Sequence, residues 1–205
     1  MSLTLTALTT VGAGVLLGAR HATDADHVVA IATLVQREPR PAAAARTAVA
    51  WGLGHSLTFL GVGAAIIAAG VRVPAGVEVA VELVVAAMLI GLGAMHLAPR
   101  TGAIAGAAPA PRRRSFAIGL VHGLAGSGAI ALVALTTIAS PLGALAYLVA
   151  FAAGTTAGMA LCTVLLAWPL AWTTRRRGIE RLVIAIAGGA SVLVGLLIVI
   201  EVVAG

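Results

Sequence analysis

An eight-residue segment near the N-terminus, RHATDADH at positions 20–27, concentrates side chains that carry charge or bind metal ions. After Arg20 it contains two histidines and two aspartates, which are His21, Asp24, Asp26 and His27. Imidazole nitrogens and carboxylate oxygens favour Ni²⁺, Co²⁺, Cu²⁺ or Zn²⁺ over Mg²⁺ or Ca²⁺. The segment is therefore a candidate transition-metal site.

The residues on both sides of this segment are apolar, GAGVLLGA before it and VVAIATLV after it. A charged side chain at the centre of a bilayer costs about 2.5–3.5 kcal/mol on insertion scales. If the stretch crosses a membrane, its charged groups must therefore face the interior of a helix bundle, water or a bound ion.

Helical spacing groups some of these side chains and separates others. At 100° per residue, His21, Asp24 and His27 share one stripe of an ideal helix, whereas Asp26 points elsewhere. Asp24 follows Arg20 by one helical turn, a spacing at which the two can pair. Two alternatives remain for Asp26: the helix is distorted here, or Asp26 orients a neighbouring ligand without binding the metal itself.

Two further histidines interrupt other apolar segments, His55 in GLGHSLT and His122 in GLVHGLAGSGA. The glycines around them allow helices to approach closely. The alternative role for each is a hydrogen bond between helices. The candidate metal ligands are thus His21, Asp24, Asp26, His27, His55 and His122. The single cysteine, Cys162, excludes an intrachain disulfide and is interpreted as a packing residue.

The composition predicts the elements that position these residues. The 205-residue chain is 60% hydrophobic and 10% charged, whereas soluble domains carry about 25% charged residues. Apolar stretches near the ~20 residues needed to cross a bilayer recur along the chain, and helices satisfy their own backbone hydrogen bonds in lipid. We therefore expect an all-α polytopic membrane protein with six transmembrane helices, at about 4–34, 44–70, 76–98, 114–138, 142–171 and 179–203.

The net charge of +6 comes from arginines, and all of them except Arg20 and Arg72 lie between spans 1 and 2, 3 and 4, or 5 and 6. This distribution is typical of membrane topology and argues against a nucleic-acid partner. The positive-inside rule places those three loops in the cytoplasm and both termini outside. The expected location is the cytoplasmic (inner) membrane.

The chain divides into two similar halves, 1–98 and 114–205, joined by a cytoplasmic linker at 99–113 that is rich in alanine, proline and glycine. GARHATDAD at 18–26 aligns with GLVHGLAGS at 119–127, and WGLGHSLTF at 51–59 aligns with FAAGTTAGM at 151–159. Three spans in each half invert the second relative to the first. The pattern predicts a 3+3 inverted repeat, which in secondary transporters holds its substrate site between the repeats.

The segment RHATDADHV at 20–28 resembles the signature of the nickel/cobalt transporter (NiCoT) family, Arg-His-Ala-x-Asp-Ala-Asp-His. LGHSLTF at 53–59 resembles the second motif of that family, Leu-Gly-His-Ser. The resemblance implies Ni²⁺ or Co²⁺ uptake, with ligands from His21, Asp26, His27 and His55. Family members usually have eight spans and later acidic motifs; this chain instead is similar to six-helix membrane proteins associated with urease maturation.

The expected function is a secondary transporter that takes up Ni²⁺, with Co²⁺ as the alternative cargo. His21, Asp24 or Asp26, His27 and His55 would bind the cation, and His122 would close the site from the second half. We expect no catalysis and no cofactor besides the transported ion. The expected partners are the divalent metal ion and the lipid bilayer, with a second copy of the chain or nickel-enzyme maturation proteins as further candidates.

Three alternatives stay open at this point. The transporter would instead export the metal, although exporters often carry histidine-rich cytosolic loops and 99–114 contains no histidine. An intramembrane metalloenzyme would use the metal to activate water, with Asp26 or Glu82 as general base. A metal-sensing or metal-delivery membrane protein would bind the ion without moving it across the bilayer.

Overall fold

The computed structural model describes residues 2–35, 40–69, 74–98, 112–124, 138, 140–173 and 177–204. Within these ranges all regular structure is α-helical, and there are seven helices. They are α1 (Ser2–His21), α2 (Ala25–Val35), α3 (Pro41–Ala69), α4 (Ala75–Leu97), α5 (Arg112–His122), α6 (Pro141–Thr173) and α7 (Arg177–Ala204).

Four segments of the described chain are long and apolar enough to cross a membrane: Pro41–Ala69, Ala75–Leu97, Pro141–Ala167 and Arg181–Ala204. They correspond to predicted spans 2, 3, 5 and 6. Of predicted span 4, at 114–138, the structure describes α5, residues 123–124 and residue 138, and the rest lies outside the described residues. Residues 99–111 of the predicted linker also lie outside them, and α5 already begins at Arg112.

The first predicted span, 4–34, is not one continuous helix but is interrupted between α1 and α2. The backbone N–H of Asp24 bonds to the carbonyl of His21 at 3.0 Å, which tightens the last turn of α1. The Thr23 hydroxyl donates to the carbonyl of Arg20 at 2.6 Å. Threonine and aspartate compete in this way with helical hydrogen bonding. The helix resumes when the N–H of Val28 bonds to the carbonyl of Asp24 at 3.0 Å.

Helix pairs pack backbone against backbone at glycines. α1 packs mainly on α6, α3 packs on α5 and α6, and α4 packs on α7. A Cβ atom at Gly18 would overlap the carbonyl of Phe151, and one at Gly119 would overlap the carbonyl of Trp51. Only glycine permits such an approach, and small residues at helix contacts are typical of membrane bundles.

The distribution of polarity is the reverse of that in a soluble bundle. Large aliphatic side chains lie on the outer surface, such as Leu16, Leu142 and Val203, which are 72%, 79% and 78% exposed. Histidines lie inside, where His55 and His122 are buried. An extensive apolar exterior indicates contact with lipid, so the structure is consistent with a membrane protein whose interior holds a polar site.

Candidate metal site

Four histidines from four helices meet inside the bundle. His21 is the last residue of α1, His27 lies in the first turn of α2, His55 is in α3, and His122 is the last residue of α5. The ring of His27 is central: its centroid lies 4.4 Å from that of His21, 5.0 Å from that of His55 and 4.5 Å from that of His122. The helix break therefore brings His27 into contact with histidines from both halves of the chain.

These side chains form two overlapping groups that could each hold a metal ion. One group is His21, His27 and His55, and the other is Asp26, His27 and His122. In each group the candidate ligand atoms all lie within 4.8 Å of one another. Two ligand atoms on one metal are separated by at most about 4.2 Å, twice a metal–nitrogen bond of ~2.1 Å. The candidate ligand atoms of each group therefore lie near the spacing that a single metal ion requires.

Asp26 connects two of the histidines with its two carboxylate oxygens. Nδ1 of His27 donates to Oδ1 at 3.0 Å, and Nε2 of His122 donates to Oδ2 at 3.0 Å. The helix is interrupted beside Asp26, as the first alternative for this residue requires, and its two hydrogen bonds are of the kind by which a carboxylate orients neighbouring rings. A carboxylate that accepts the N–H of one ring nitrogen leaves the other nitrogen free to bind a metal.

Asp24 makes the same kind of contact with His21, whose Nδ1 donates to Oδ2 at 2.8 Å. Asp24 is half exposed and belongs to neither metal-binding group, so five of the six predicted ligands lie in the two groups. The sequence spacing favoured a pair between Arg20 and Asp24. Among the described residues, the ion-pair partner of Asp24 is instead His21.

Several nitrogens at this centre are buried and have no hydrogen-bond partner among the described residues. They are Nε2 of His27, Nδ1 of His122 and both nitrogens of His55. Each unsatisfied buried polar group costs about 1–3 kcal/mol, and such groups are uncommon in native structures. These nitrogens lie together around the ring of His27, which indicates a binding site for a ligand that can interact with them.

The site is open on the side of the helix break. The side chain of Asp24 is 52% exposed and that of Asp26 is 26% exposed, whereas His27 and His122 are 2% and 1% exposed. A cation can therefore meet the carboxylates before it reaches the buried imidazoles. The first turn of α2 and the last turn of α1 both border this entrance.

Trp51 is a neighbour of the site that the sequence did not reveal. Its ring centroid lies 5.3 Å from that of His122 and 5.6 Å from that of His27, and its Nε1 is also buried without a partner among the described residues. The available signal was its position one helical turn before His55, which places both on one face of α3.

Two other residues considered in the sequence do not take part. Glu82 belongs to neither metal-binding group. Cys162 is partly buried and packs against the core cluster around Trp51 and Met159. Its position agrees with the interpretation of Cys162 as a packing residue.

The chain is 30% identical over 198 residues to the urease accessory protein UreH of Bacillus sp. (strain TB-90). The match covers 89% of this chain and 87% of the relative. No protein-family model matches the chain, and no solved structure matches it. The similarity extends over most of the length of both proteins. The chain therefore belongs to the family of the urease accessory protein UreH.

Proposed function

We propose that the protein is a secondary transporter of the nickel/cobalt transporter family that takes up Ni²⁺, with Co²⁺ as an alternative cargo. The observation that carries this proposal is the pair of overlapping histidine groups at the break between α1 and α2. The name of the relative adds support, because urease is a nickel enzyme and a urease accessory protein has a role in supplying or handling that metal.

The donor set favours a borderline transition metal. Three imidazoles, or two imidazoles and one carboxylate, are the ligands available in the two groups. Such nitrogen-rich sites suit Ni²⁺, Co²⁺, Cu²⁺ and Zn²⁺, whereas Mg²⁺ and Ca²⁺ prefer oxygen. Soft Cu⁺ is disfavoured because the chain has a single cysteine, which is not in either group.

The site has the properties of one that binds a cation and releases it again, and not those of a permanent structural metal site. Each group offers three ligand atoms instead of the four of a closed structural site, and the exposed carboxylate of Asp24 lies beside it. Broken helices are the usual substrate sites of transporters, because the C-terminal end of a half-helix stabilises a cation. Here the C-terminal end of α1 carries His21. Entry of a divalent ion is favoured by the membrane potential, at ~2.3 kcal/mol per charge per 100 mV.

We also propose that the protein has six spans arranged as a 3+3 inverted repeat, and the helix contacts support this. Gly119 follows Gly18 by 101 residues, and Phe151 follows Trp51 by 100. Gly18 lies against the carbonyl of Phe151, while Gly119 lies against the carbonyl of Trp51. Gly18 corresponds to Gly119, and Trp51 corresponds to Phe151. Each contact is therefore the counterpart of the other, as a pseudo-twofold axis between the halves requires.

A pair of hydroxyl groups marks where that axis would pass. Ser56 and Thr156, 100 residues apart, contact each other at 2.8 Å between their oxygens. One hydroxyl donates to the other, and the hydrogen of the second is free for a carbonyl of the opposite helix: that of Ala152 lies 3.1 Å from Ser56 Oγ, and that of Gly52 lies 3.4 Å from Thr156 Oγ1. This exchanged pattern also occurs between α4 and α7, where Gly93 lies against Gly188 and Gly195 lies against Ala86.

The ends of α1 and α5 are alike as well. Each ends at a histidine, and the same two backbone bonds follow: Ala22 to Gly18 and Thr23 to Arg20 after α1, Gly123 to Gly119 and Leu124 to Val121 after α5. The cation site then lies between the halves, and rocking of one half on the other would expose it to each side in turn. We place the protein in the cytoplasmic membrane with both termini outside, from the distribution of its arginines.

The test is uptake of radioactive nickel by cells that lack other nickel transporters. We expect His27→Ala and His55→Ala to lower uptake about tenfold or more, because each removes a nitrogen from the same group. Leu57→Ala is the matched control, since Leu57 lies on α3 near His55 but is exposed to lipid. Unchanged uptake in both histidine variants at equal protein levels would contradict the proposal, and lower accumulation in cells with the protein than without it would indicate export.

A further inference from the structure

The two groups of metal-binding side chains share one residue, His27, and only the second group contains a residue from the second half of the chain, His122. His21 and His55 belong to α1 and α3, within the first half. His122 belongs to α5, the first helix of the second half. Within the described residues, no group of mutually close ligand atoms contains both His21 and His122. The four histidines therefore fall into two overlapping groups that share His27.

We propose that a single cation occupies these two positions in turn and that His27 passes it from one to the other. In the first position the cation is held by His21, His27 and His55. In the second it is held by Asp26, His27 and His122. This inference rests on the proposed transport function and adds the order of ligands to it.

The hydrogen bonds of Asp26 explain why only one position is filled at a time. In the structure both oxygens of Asp26 are engaged by ring N–H groups of His27 and His122. With Nδ1 committed to this bond, His27 has one free nitrogen, Nε2, which is buried and unpaired. One free nitrogen serves one metal ion, and two divalent ions this close together would repel each other strongly.

The same hydrogen bonds suggest what changes when the cation moves. While Asp26 accepts from both rings, it orients them, and the free nitrogens of His27 and His55 face the first position. In the second position Asp26 itself becomes a ligand, so its bonds to the rings must be released. The ring of His27 lies almost equally close to His21 and His122, at 4.4 and 4.5 Å between centroids. His27 is therefore adjacent to a histidine of each position and can remain a ligand in both.

The probe for this proposal is Co²⁺ bound to the purified full-length protein in lipid nanodiscs, measured by competition with a chelator. We expect one Co²⁺ per chain. His55→Gln should weaken binding about tenfold or more, since it removes a ligand of the first position. His122→Gln should weaken binding less than His55→Gln does, because glutamine preserves a donor toward Asp26 and the first position keeps its three imidazoles.

The residual binding of His55→Gln identifies the second position. X-ray absorption at the cobalt edge should show three imidazoles in the wild type and, in His55→Gln, fewer imidazoles with an added carboxylate. The double variant His55→Gln/His122→Gln should bind Co²⁺ more weakly than His55→Gln alone. Two Co²⁺ ions per chain, equal losses in the two single variants, or a double variant equal to His55→Gln would each overturn the two-position proposal.

Uptake of Co²⁺ into liposomes separates this proposal from the transport function. We expect His122→Gln to bind Co²⁺ but to transport it about tenfold more slowly, because the cation cannot leave the first position. Transport by His122→Gln at the wild-type rate would overturn the proposed movement of the cation between the two positions and would assign His122 a packing role. If the wild-type protein itself moves no Co²⁺, the transport function is wrong, and the binding comparison alone decides whether two positions exist. Circular dichroism and elution volume identify folded variants, and His122→Asn replaces any His122→Gln protein that does not fold.

Discussion

Asp26 lies between His27 and His122, with one carboxylate oxygen 3.0 Å from a ring nitrogen of the first and the other oxygen 3.0 Å from a ring nitrogen of the second. This contact joins the start of α2 to the end of α5, two segments that are far apart in the chain. It also determines which nitrogens of the two rings remain free. The proposed cation site therefore depends on a carboxylate that is not among the three candidate ligands of the first group.

We expect Asp26→Asn to weaken Ni²⁺ binding about 10- to 100-fold, the usual effect of removing the carboxylate that orients a metal-binding histidine. Asparagine places an NH2 group where one of the two carboxylate oxygens lies, so one of the two ring N–H groups loses its acceptor. Isothermal titration calorimetry of the purified protein measures the change. Asp24→Asn should cause a smaller loss, because Asp24 orients one histidine, His21, instead of two and is 52% exposed. Equal losses in the two variants would contradict the role given to Asp26.

We expect Ni²⁺ to raise the thermal stability of the protein. A ligand that binds only the folded state stabilises it by about 2.7 kcal/mol at a concentration of 100 times Kd. Differential scanning fluorimetry should show a higher melting temperature with Ni²⁺ and no change with Mg²⁺, which prefers oxygen ligands. The double variant His27→Ala/His55→Ala should lose the Ni²⁺ effect, whereas Leu57→Ala should keep it. A shift that persists in the double variant would mean that nickel binds elsewhere.

Close helix contacts should make certain glycines irreplaceable. Gly119→Ala places a methyl group against the backbone of Trp51 and His55, and overpacking of this kind costs typically ~1–3 kcal/mol. We expect a lower melting temperature and weaker metal binding, because Trp51 and His55 border the site. Gly61→Ala is the control, since a Cβ atom there would meet no atom within 4 Å, and alanine favours helix by up to ~1 kcal/mol. Equal melting temperatures of Gly119→Ala and Gly61→Ala would contradict the close contact between α3 and α5 at Gly119.

The contact between Ser56 and Thr156 should appear as an energetic coupling between α3 and α6. We expect Ser56→Ala and Thr156→Ala to be non-additive by about 0.5–1.5 kcal/mol, the net value of one hydrogen bond. Ser56→Ala with Thr163→Ala is the control pair, because the Thr163 hydroxyl donates to Met159 within its own helix at 2.7 Å. Chemical unfolding in detergent micelles gives the three free energies. Additive effects of Ser56→Ala and Thr156→Ala would contradict a stabilising contact between α3 and α6 at these residues.

The residues of the site could be predicted from the sequence because their placement is otherwise unfavourable. Histidines and aspartates inside apolar helices require partners or a ligand, and that reasoning identified every side chain of the two groups. Four of the predicted spans also match long apolar helices, because length and hydrophobicity determine them directly.

The arrangement of those residues could not be predicted, because an ideal helix was the wrong reference for residues 20–27. On an ideal helix Asp26 points away from His27 and His21. The break at Ala22–Asp24 changes the direction of the side chains of α2 relative to those of α1, so that Asp26 meets His122. The position of Trp51 beside the histidines depends on the contact between α3 and α5, which no local pattern specifies.

The most direct test of the account is anomalous X-ray diffraction from crystals of the protein grown with Ni²⁺ or Co²⁺. We expect one anomalous peak at about 2.1 Å from Nε2 of His27, with the remaining ligands taken from His21 and His55 or from Asp26 and His122. A fully occupied peak elsewhere, or four histidines that bond to one another around a dry, metal-free centre, would contradict the claim that this cluster exists to bind a passing cation.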